Sequence, residues 1–147
     1  MKLYYAPGAC SMGIHVILEE IGKPYEAVAV NLKEGAQHKP EYQAVNPKSK
    51  VPALDRGDGR ALTEYPVIAA WLAKSNPEAK LIPTDLEGET RCMEMLDYIC
   101  GTVHPQGFTR QFRAANFVFN EADHPKVVEQ GKQLAAKYFD TLEKTWR

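Results

Sequence analysis

Apolar residues recur at two different periods in the first half of the chain and at essentially one in the second. Residues 2–6, KLYYA, form a short β-prone run closed by Pro7-Gly8. Beyond it Ile14, Ile17, Leu18 and Ile21 follow helical spacing, with Glu19 and Glu20 facing outward. The pattern predicts a strand and then a helix over residues 11–21, capped by Ser11 and stopped by Gly22. After Pro24, the stretch from Tyr25 to Asn31 alternates β-branched valines with smaller residues and predicts a second strand. Strand, helix and strand make a βαβ unit, because parallel strands need a crossover.

The segment from Leu32 to Asn46 is polar and predicts a loop with one short helix. Residues 51–55 and 60–63 flank Asp58-Gly59, a strong hairpin signal, and so predict two antiparallel strands. Pro52 is out of place in a central strand; it belongs at a strand entrance or edge, where a cis bond is one way to hold it. Pro66 suits a first helical turn, and VIAAWLAK carries that helix to about Lys74.

From Ser75 to Pro83 two prolines mark a linker, and past it the period-two signal ends. Thr84 and Glu87 have capping-box spacing at the head of a long helix reaching Val103, with Cys92, Met95, Leu96, Ile99, Cys100 and Val103 as its apolar stripe. Pro105 and Gly107 are expected to break it. A last helix follows Asp123-His124-Pro125, with Val127, Val128, Leu134, Tyr138, Phe139, Leu142 and Trp146 inward. The expected organisation is an α/β domain over 1–76 with order β-α-β-α-β-β-α, and a partial all-helical domain over 84–147. So few helices with such wide stripes leave apolar surface to be covered by the first domain and by another subunit.

Composition adds mainly exclusions. The 147 residues are 44% hydrophobic and 25% charged, as in ordinary globular proteins. No run approaches the ~18 apolar residues of a membrane span, and the opening residues lack a signal-peptide core. Residence in the cytoplasm is expected. The formal net charge of −1 supplies no broad positive field for nucleic acid or an anionic membrane. Cys10, Cys92 and Cys100 are odd in number and irregularly spaced, which suits free thiols in a reducing compartment.

The chemistry concentrates around Cys10. A thiol at the first turn of a helix lies beside unpaired N–H groups and the positive end of the helix dipole, both of which favour the thiolate. Burial as a small apolar filler is the competing reading for a free cysteine. Cys10-Ser11-Met12-Gly13 contains no second cysteine for an internal dithiol cycle. The backbone of Val51, turned outward by a cis Pro52, offers hydrogen bonds to an extended peptide-like ligand. Glu64 and the N–H of Tyr65 offer a carboxylate for an ammonium and a donor for a carboxylate. Such contacts suit a small zwitterionic thiol peptide.

Three motifs in order, "PGACS", "AVNPKSKVPAL" and "LTEYPVIAAWLA", resemble the bacterial glutathione transferases of the beta class. The resemblance covers nearly all of the first domain, implies a thioredoxin-like fold for it, and continues into the helices after Pro83. It implies glutathione as co-substrate and no metal, with Cys10 and Ser11 bordering the glutathione sulfur. Val51, beside Pro52, would pair with the cysteinyl backbone; Glu64 and Tyr65 would hold the γ-glutamyl end, and Lys33 would reach the glycyl carboxylate. "GTVHPQGF", residues 101–108, resembles the family stretch that reaches the thiol, with His104 as polar contact and Thr102 and Val103 lining the site or the dimer-related cleft. Tyr65 stands where the family carries serine or glycine, which sets a bulky ring beside the γ-glutamyl pocket. The chain ends where the family continues through further helices.

The activity implied is attack of the glutathione thiolate on a small hydrophobic electrophile by a homodimer. A glutathione-dependent thiol-disulfide oxidoreductase or peroxidase using Cys10, and a noncatalytic glutathione-binding or scaffold protein, are the alternatives. Cys100 and His104 stand four apart on one helix face, but with no further ligands ordinary packing is the better reading. His15 is read as a surface residue, and Phe108, Phe112, Phe117 and Phe119 as core or subunit interface.

Overall fold

A computed structural model describes residues 1–145, so the inward placement expected for Trp146 lies outside the described residues. The chain divides into two compact units, Met1–Glu89 and the residues from Thr90 onward.

In the first unit β1 (Lys2–Tyr5), α1 (Ser11–Ile21) and β2 (Glu26–Ala29) form the expected βαβ unit. The sheet order is β2-β1-β3-β4, with β3 at Ala53–Asp55 and β4 at Leu62–Thr63. β1 runs parallel to β2, pairing Tyr5 with Ala29, and antiparallel to β3, pairing Tyr4 with Ala53. β3 in turn is antiparallel to β4, with Ala53 opposite Thr63. This register brings the exit of β1, the entrance of β3 and the exit of β4 to one end of the sheet. It is there that α1 begins, that Val51–Pro52 lies, and that α3 (Tyr65–Ser75) begins.

The core explains the helices. Leu3, Ile14, Leu18, Leu54, Ile68 and Leu72 are all essentially inaccessible, one apolar layer between the sheet and the facing stripes of α1 and α3. α1 ends as expected on Gly22 at φ 69°, which donates to the carbonyls of Leu18 and Glu19. Its start differs from expectation. Cys10 holds the cap position with no side-chain cap, while the Ser11 hydroxyl turns inward, accepting from the Ala6 N–H at 3.0 Å and donating to the Ala6 carbonyl at 3.3 Å. The buried loop backbone at Ala6 needs both bonds more than an exposed helix end needs a cap.

Between β2 and β3 lie two short 3₁₀ turns, Leu32–Glu34 and Ala36–His38, and then α2 (Pro40–Gln43), one short helix as expected together with turns the polar pattern did not show. Val51–Pro52 is cis.

The helix α4 (Leu86–Asp97) begins later than Thr84: the Asp85 carboxylate accepts from the Gly88 N–H at 2.8 Å, so Asp85 takes the capping role expected of Thr84. In the second unit the path does not break at Pro105. It continues as a π-helix over Tyr98–Phe108 and as α5 over Thr109–Phe112. The wider π turn accommodates a proline ring that an α turn would push against its own carbonyls, and the Thr109 N–H closes on the His104 carbonyl.

The helix α6 (His124–Thr145) lies across this segment with little between the backbones. A β-carbon on Gly131 would stand 2.8 Å from the Gly107 carbonyl, and one on Gly107 would stand 3.1 Å from Ala135 Cβ. Small residues there permit the close crossing. Val127 and Ala135 are buried, whereas Phe139, expected inward, is half exposed and meets Phe108 edge-on at 6.2 Å. Phe112 and Phe119 are 76% and 104% exposed, so neither belongs to a core of this unit. Phe117 carries the Arg110 guanidinium 4.3 Å from its ring centre. Among the described residues no helix is long and apolar enough to cross a membrane.

Candidate functional site

At the shared end of the sheet, Cys10 Sγ donates to the Val51 carbonyl at 3.7 Å. Residues 46–52 are held from beneath. Asn46, 1% exposed, accepts from the Lys48 N–H at 3.1 Å and donates to the Lys50 carbonyl at 2.8 Å; the Tyr42 hydroxyl donates to that same carbonyl at 2.6 Å. Two buried side chains therefore fix the backbone immediately before the cis bond.

The thiol is pulled both ways. Desolvation, the leading influence, pushes the Cys10 pKa up, even though the residue as a whole is exposed. The N–H groups of Cys10 and Ser11 and the Lys50 ammonium pull it down. The net direction is upward, contrary to the lowered pKa expected from the helix position alone. Donation to a carbonyl also suits the neutral thiol. Of the first-turn amides, those of Met12 and Gly13 are committed to the carbonyls of Ala9 and Cys10, so Cys10 and Ser11 are the donors that act on sulfur.

Glu64 caps the opposite corner with a backbone at φ 70° and ψ 123°, a conformation few side-chain-bearing residues adopt. Its carboxylate is not bare: Lys48 Nζ lies 2.6 Å from Oε1 and 3.0 Å from the Thr63 hydroxyl. Sequence reasoning missed Lys48. Its only signal was a second lysine beside Lys50 in a loop already singled out for its proline. Tyr65 turns towards the first turn of α1. Its ring lies along α1, where a β-carbon on Gly13 would overlap the hydroxyl and stand 3.0 Å from two ring carbons.

Cys10, Ser11, Val51, Pro52, Glu64 and Tyr65 thus come from three element junctions at one sheet end, with Ser11 contributing its N–H and not its hydroxyl. Lys33 sits exposed on a separate 3₁₀ turn of the same unit, its N–H donating to Asn31. Thr102, Val103 and His104 belong to the π segment of the second unit, where Val103 is buried and the His104 side chain is exposed. His15, read as a surface residue, is half-buried between Tyr5 and Tyr25, at 4.9 and 5.5 Å.

A cleft of about 440 Å³ opens between residues 44–48 and the hairpin, with Asp55 and Arg60 in its wall. It includes Lys48 and Thr63 but not Cys10, Val51 or Glu64, and so adjoins the thiol corner without being it. Among the described residues no group of three or more His, Cys, Asp or Glu side chains is placed to hold a metal.

Residues 8–75 match the family model for the glutathione S-transferase N-terminal domain. The glutathione S-transferase GstA of Escherichia coli O157:H7 is 44% identical over 115 residues, 77% of this chain and 57% of that protein. The chain belongs to the glutathione S-transferase family. Its fold is that of the family, a thioredoxin-like sheet domain followed by helices. A glutathione transferase homologue from Sulfitobacter, solved with bound glutathione, superimposes with a TM-score of 0.90 at 29% identity, covering 98% of this chain and 69% of that one. Maleylpyruvate isomerase of a Ralstonia species is 34% identical over 71% of this chain and 50% of that protein. The chain thus spans only about half the length of the curated relatives named here.

Proposed function

We propose that this chain carries the glutathione site of a beta-class-like glutathione transferase, which directs the glutathione thiolate at a small hydrophobic electrophile. The observation that carries the reading is the Cys10–Val51 contact at 3.7 Å, beside a cis proline at the head of a helix. An extended tripeptide lying along Val51 puts its cysteinyl sulfur at the head of α1, and its γ-glutamyl end towards Glu64 and the Tyr65 N–H.

The raised pKa of Cys10 favours transfer over thiol-disulfide exchange. A thiol kept neutral near pH 7 is a poor nucleophile but a serviceable donor to a neighbouring thiolate. The N–H groups of Cys10 and Ser11 add two fixed donors at the same point. One pKa unit of thiolate stabilisation corresponds to about 1.4 kcal/mol. The bound thiol gives its proton to water, its sulfur bonds to the electrophilic carbon, and the displaced electron pair leaves with a group such as chloride. Lys33 on the glycyl carboxylate, His104 as a polar contact of the thiol, and Thr102 and Val103 lining the site or the dimer-related cleft complete the reading on family resemblance. Homodimer formation is supported by the exposed Phe112 and Phe119, and a reducing cytoplasm by three free cysteines.

The similarity to maleylpyruvate isomerase favours a second reading for the same site: reversible thiolate addition to a cis double bond, rotation, and expulsion. Calorimetry with millimolar glutathione tests binding, and turnover of 1-chloro-2,4-dinitrobenzene against a cis-enedioate ketone separates the two reactions. A Cys10→Ala chain that still conjugates but no longer reduces a mixed disulfide supports transfer over the thiol-disulfide reading. No heat with glutathione would leave only the scaffold alternative.

A further inference from the structure

The Lys48–Glu64 pair occupies the corner where the proposed function puts the γ-glutamyl end of the ligand. The pair has two unusual features. Glu64 holds its carboxylate there on a backbone at φ 70°, a conformation that costs energy and persists only where its surroundings hold it. Lys48 meets it from a loop whose backbone is fixed by the buried Asn46, through the Lys48 N–H and the Lys50 carbonyl. Both charges are therefore carried on constrained backbone, although the side chains themselves are about half exposed.

A helix head usually receives a carboxylate with several N–H groups, but Pro66, in the first turn of α3, has none to offer. The Ile68 N–H is already committed to the Glu64 carbonyl. A carboxylate arriving at this helix meets fewer amide donors than usual and, beside them, the ammonium of Lys48.

We infer that Lys48 is a specificity-determining residue of this corner: the Lys48–Glu64 pair opens to admit an α-amino acid zwitterion, Glu64 taking its ammonium and Lys48 its α-carboxylate. The inference rests on the glutathione reading and deepens it by naming the chemical group selected. An exposed ion pair gives up little when it opens, and both of its charges regain partners in the complex. A ligand with only one of the two charges leaves one protein charge without its new partner. Selection therefore works against peptides such as cysteinylglycine, whose free amine and carboxylate stand at opposite ends.

The test pairs protein variants with ligand variants. Calorimetry on the full chain compares wild type, Lys48→Met and Lys48→Arg for glutathione and for 4-aminobutyryl-cysteinylglycine, which lacks the α-carboxylate. Lys48→Met is expected to weaken glutathione about tenfold, Lys48→Arg no more than about twofold, and the decarboxylated peptide less than twofold in either variant. Equal glutathione affinity in wild type and Lys48→Met, or an equal loss for both peptides, would overturn the role of Lys48 while leaving glutathione binding intact. No glutathione binding by the wild-type chain would overturn the underlying reading, and the inference with it. Unchanged circular dichroism in both variants confirms that the comparison is between folded proteins.

Discussion

Tyr65 lies so close over Gly13 that a single methyl group on the glycine would overlap the tyrosine hydroxyl. This contact joins the first turns of α1 and α3, the two helix heads that frame the thiol corner. Gly13→Ala gains roughly 0.5–1 kcal/mol of helix propensity but meets an overpacking cost of about 1–3 kcal/mol. Net destabilisation is expected, visible as a lower Tm. In the Tyr65→Phe background, which removes the overlapping oxygen, the penalty is expected to shrink.

The thiol titration gives a second prediction. Desolvation holds the Cys10 pKa above the ordinary thiol value, and Lys50 works against it. The pH profile of Cys10 alkylation by iodoacetamide, followed on its own peptide by mass spectrometry, is expected to have its midpoint above that of a free cysteine. Lys50→Met removes the opposing cation and is expected to move the midpoint higher still. The folded chain binds the thiol proton more tightly than the unfolded one, so this contribution to stability is present below the unfolded thiol pKa and is lost as pH rises from there towards the folded value. Cys10→Ala is expected to flatten that slope.

Asn46 governs the loop before the cis proline. Asn46→Ala strips the Lys50 carbonyl of one of its two side-chain donors and the Lys48 N–H of its acceptor. A loss of about 1–3 kcal/mol is expected from the unmet polar groups, measured by urea unfolding, together with weaker glutathione binding.

The second unit depends on the small residues where α6 crosses the π segment. At Gly131 an added methyl meets the Gly107 carbonyl and Arg110 Cβ, both at 2.8 Å, and the carbonyl is backbone that cannot step aside. Gly131→Ala is expected to cost about 1–3 kcal/mol despite its better helix propensity, read as a lower Tm.

These features differ in how far they were legible beforehand. The bounds of α1 followed from Ile14, Leu18 and Gly22, because an amphipathic stripe with a glycine stop is a local signal. The Asp58-Gly59 hairpin was legible for the same reason, whereas the cis bond at Pro52 was one of the options that a proline out of place in a strand left open. The π-helix through Pro105 was not, since in sequence a proline reads as a break and only packing against α6 repays the wider turn. Ser11 misled because a capping residue and a loop clasp have the same side chain. Lys48 left little beyond a second lysine in its loop, because pairing with Glu64 depends on a hairpin that brings residues 48 and 64 together. The position of the Tyr65 ring likewise depended on a glycine in a different helix.

Glutathione is expected to lie along Val51, held by backbone and charge at one sheet end. Titration of the isotope-labelled chain with millimolar glutathione, followed by amide nitrogen–proton correlation spectra, tests it most directly. The largest shifts are expected at Cys10, Ser11, Val51, Glu64 and Tyr65, saturating together. Shifts confined to the cleft walls at Asp55 and Arg60, or none at all, would contradict it.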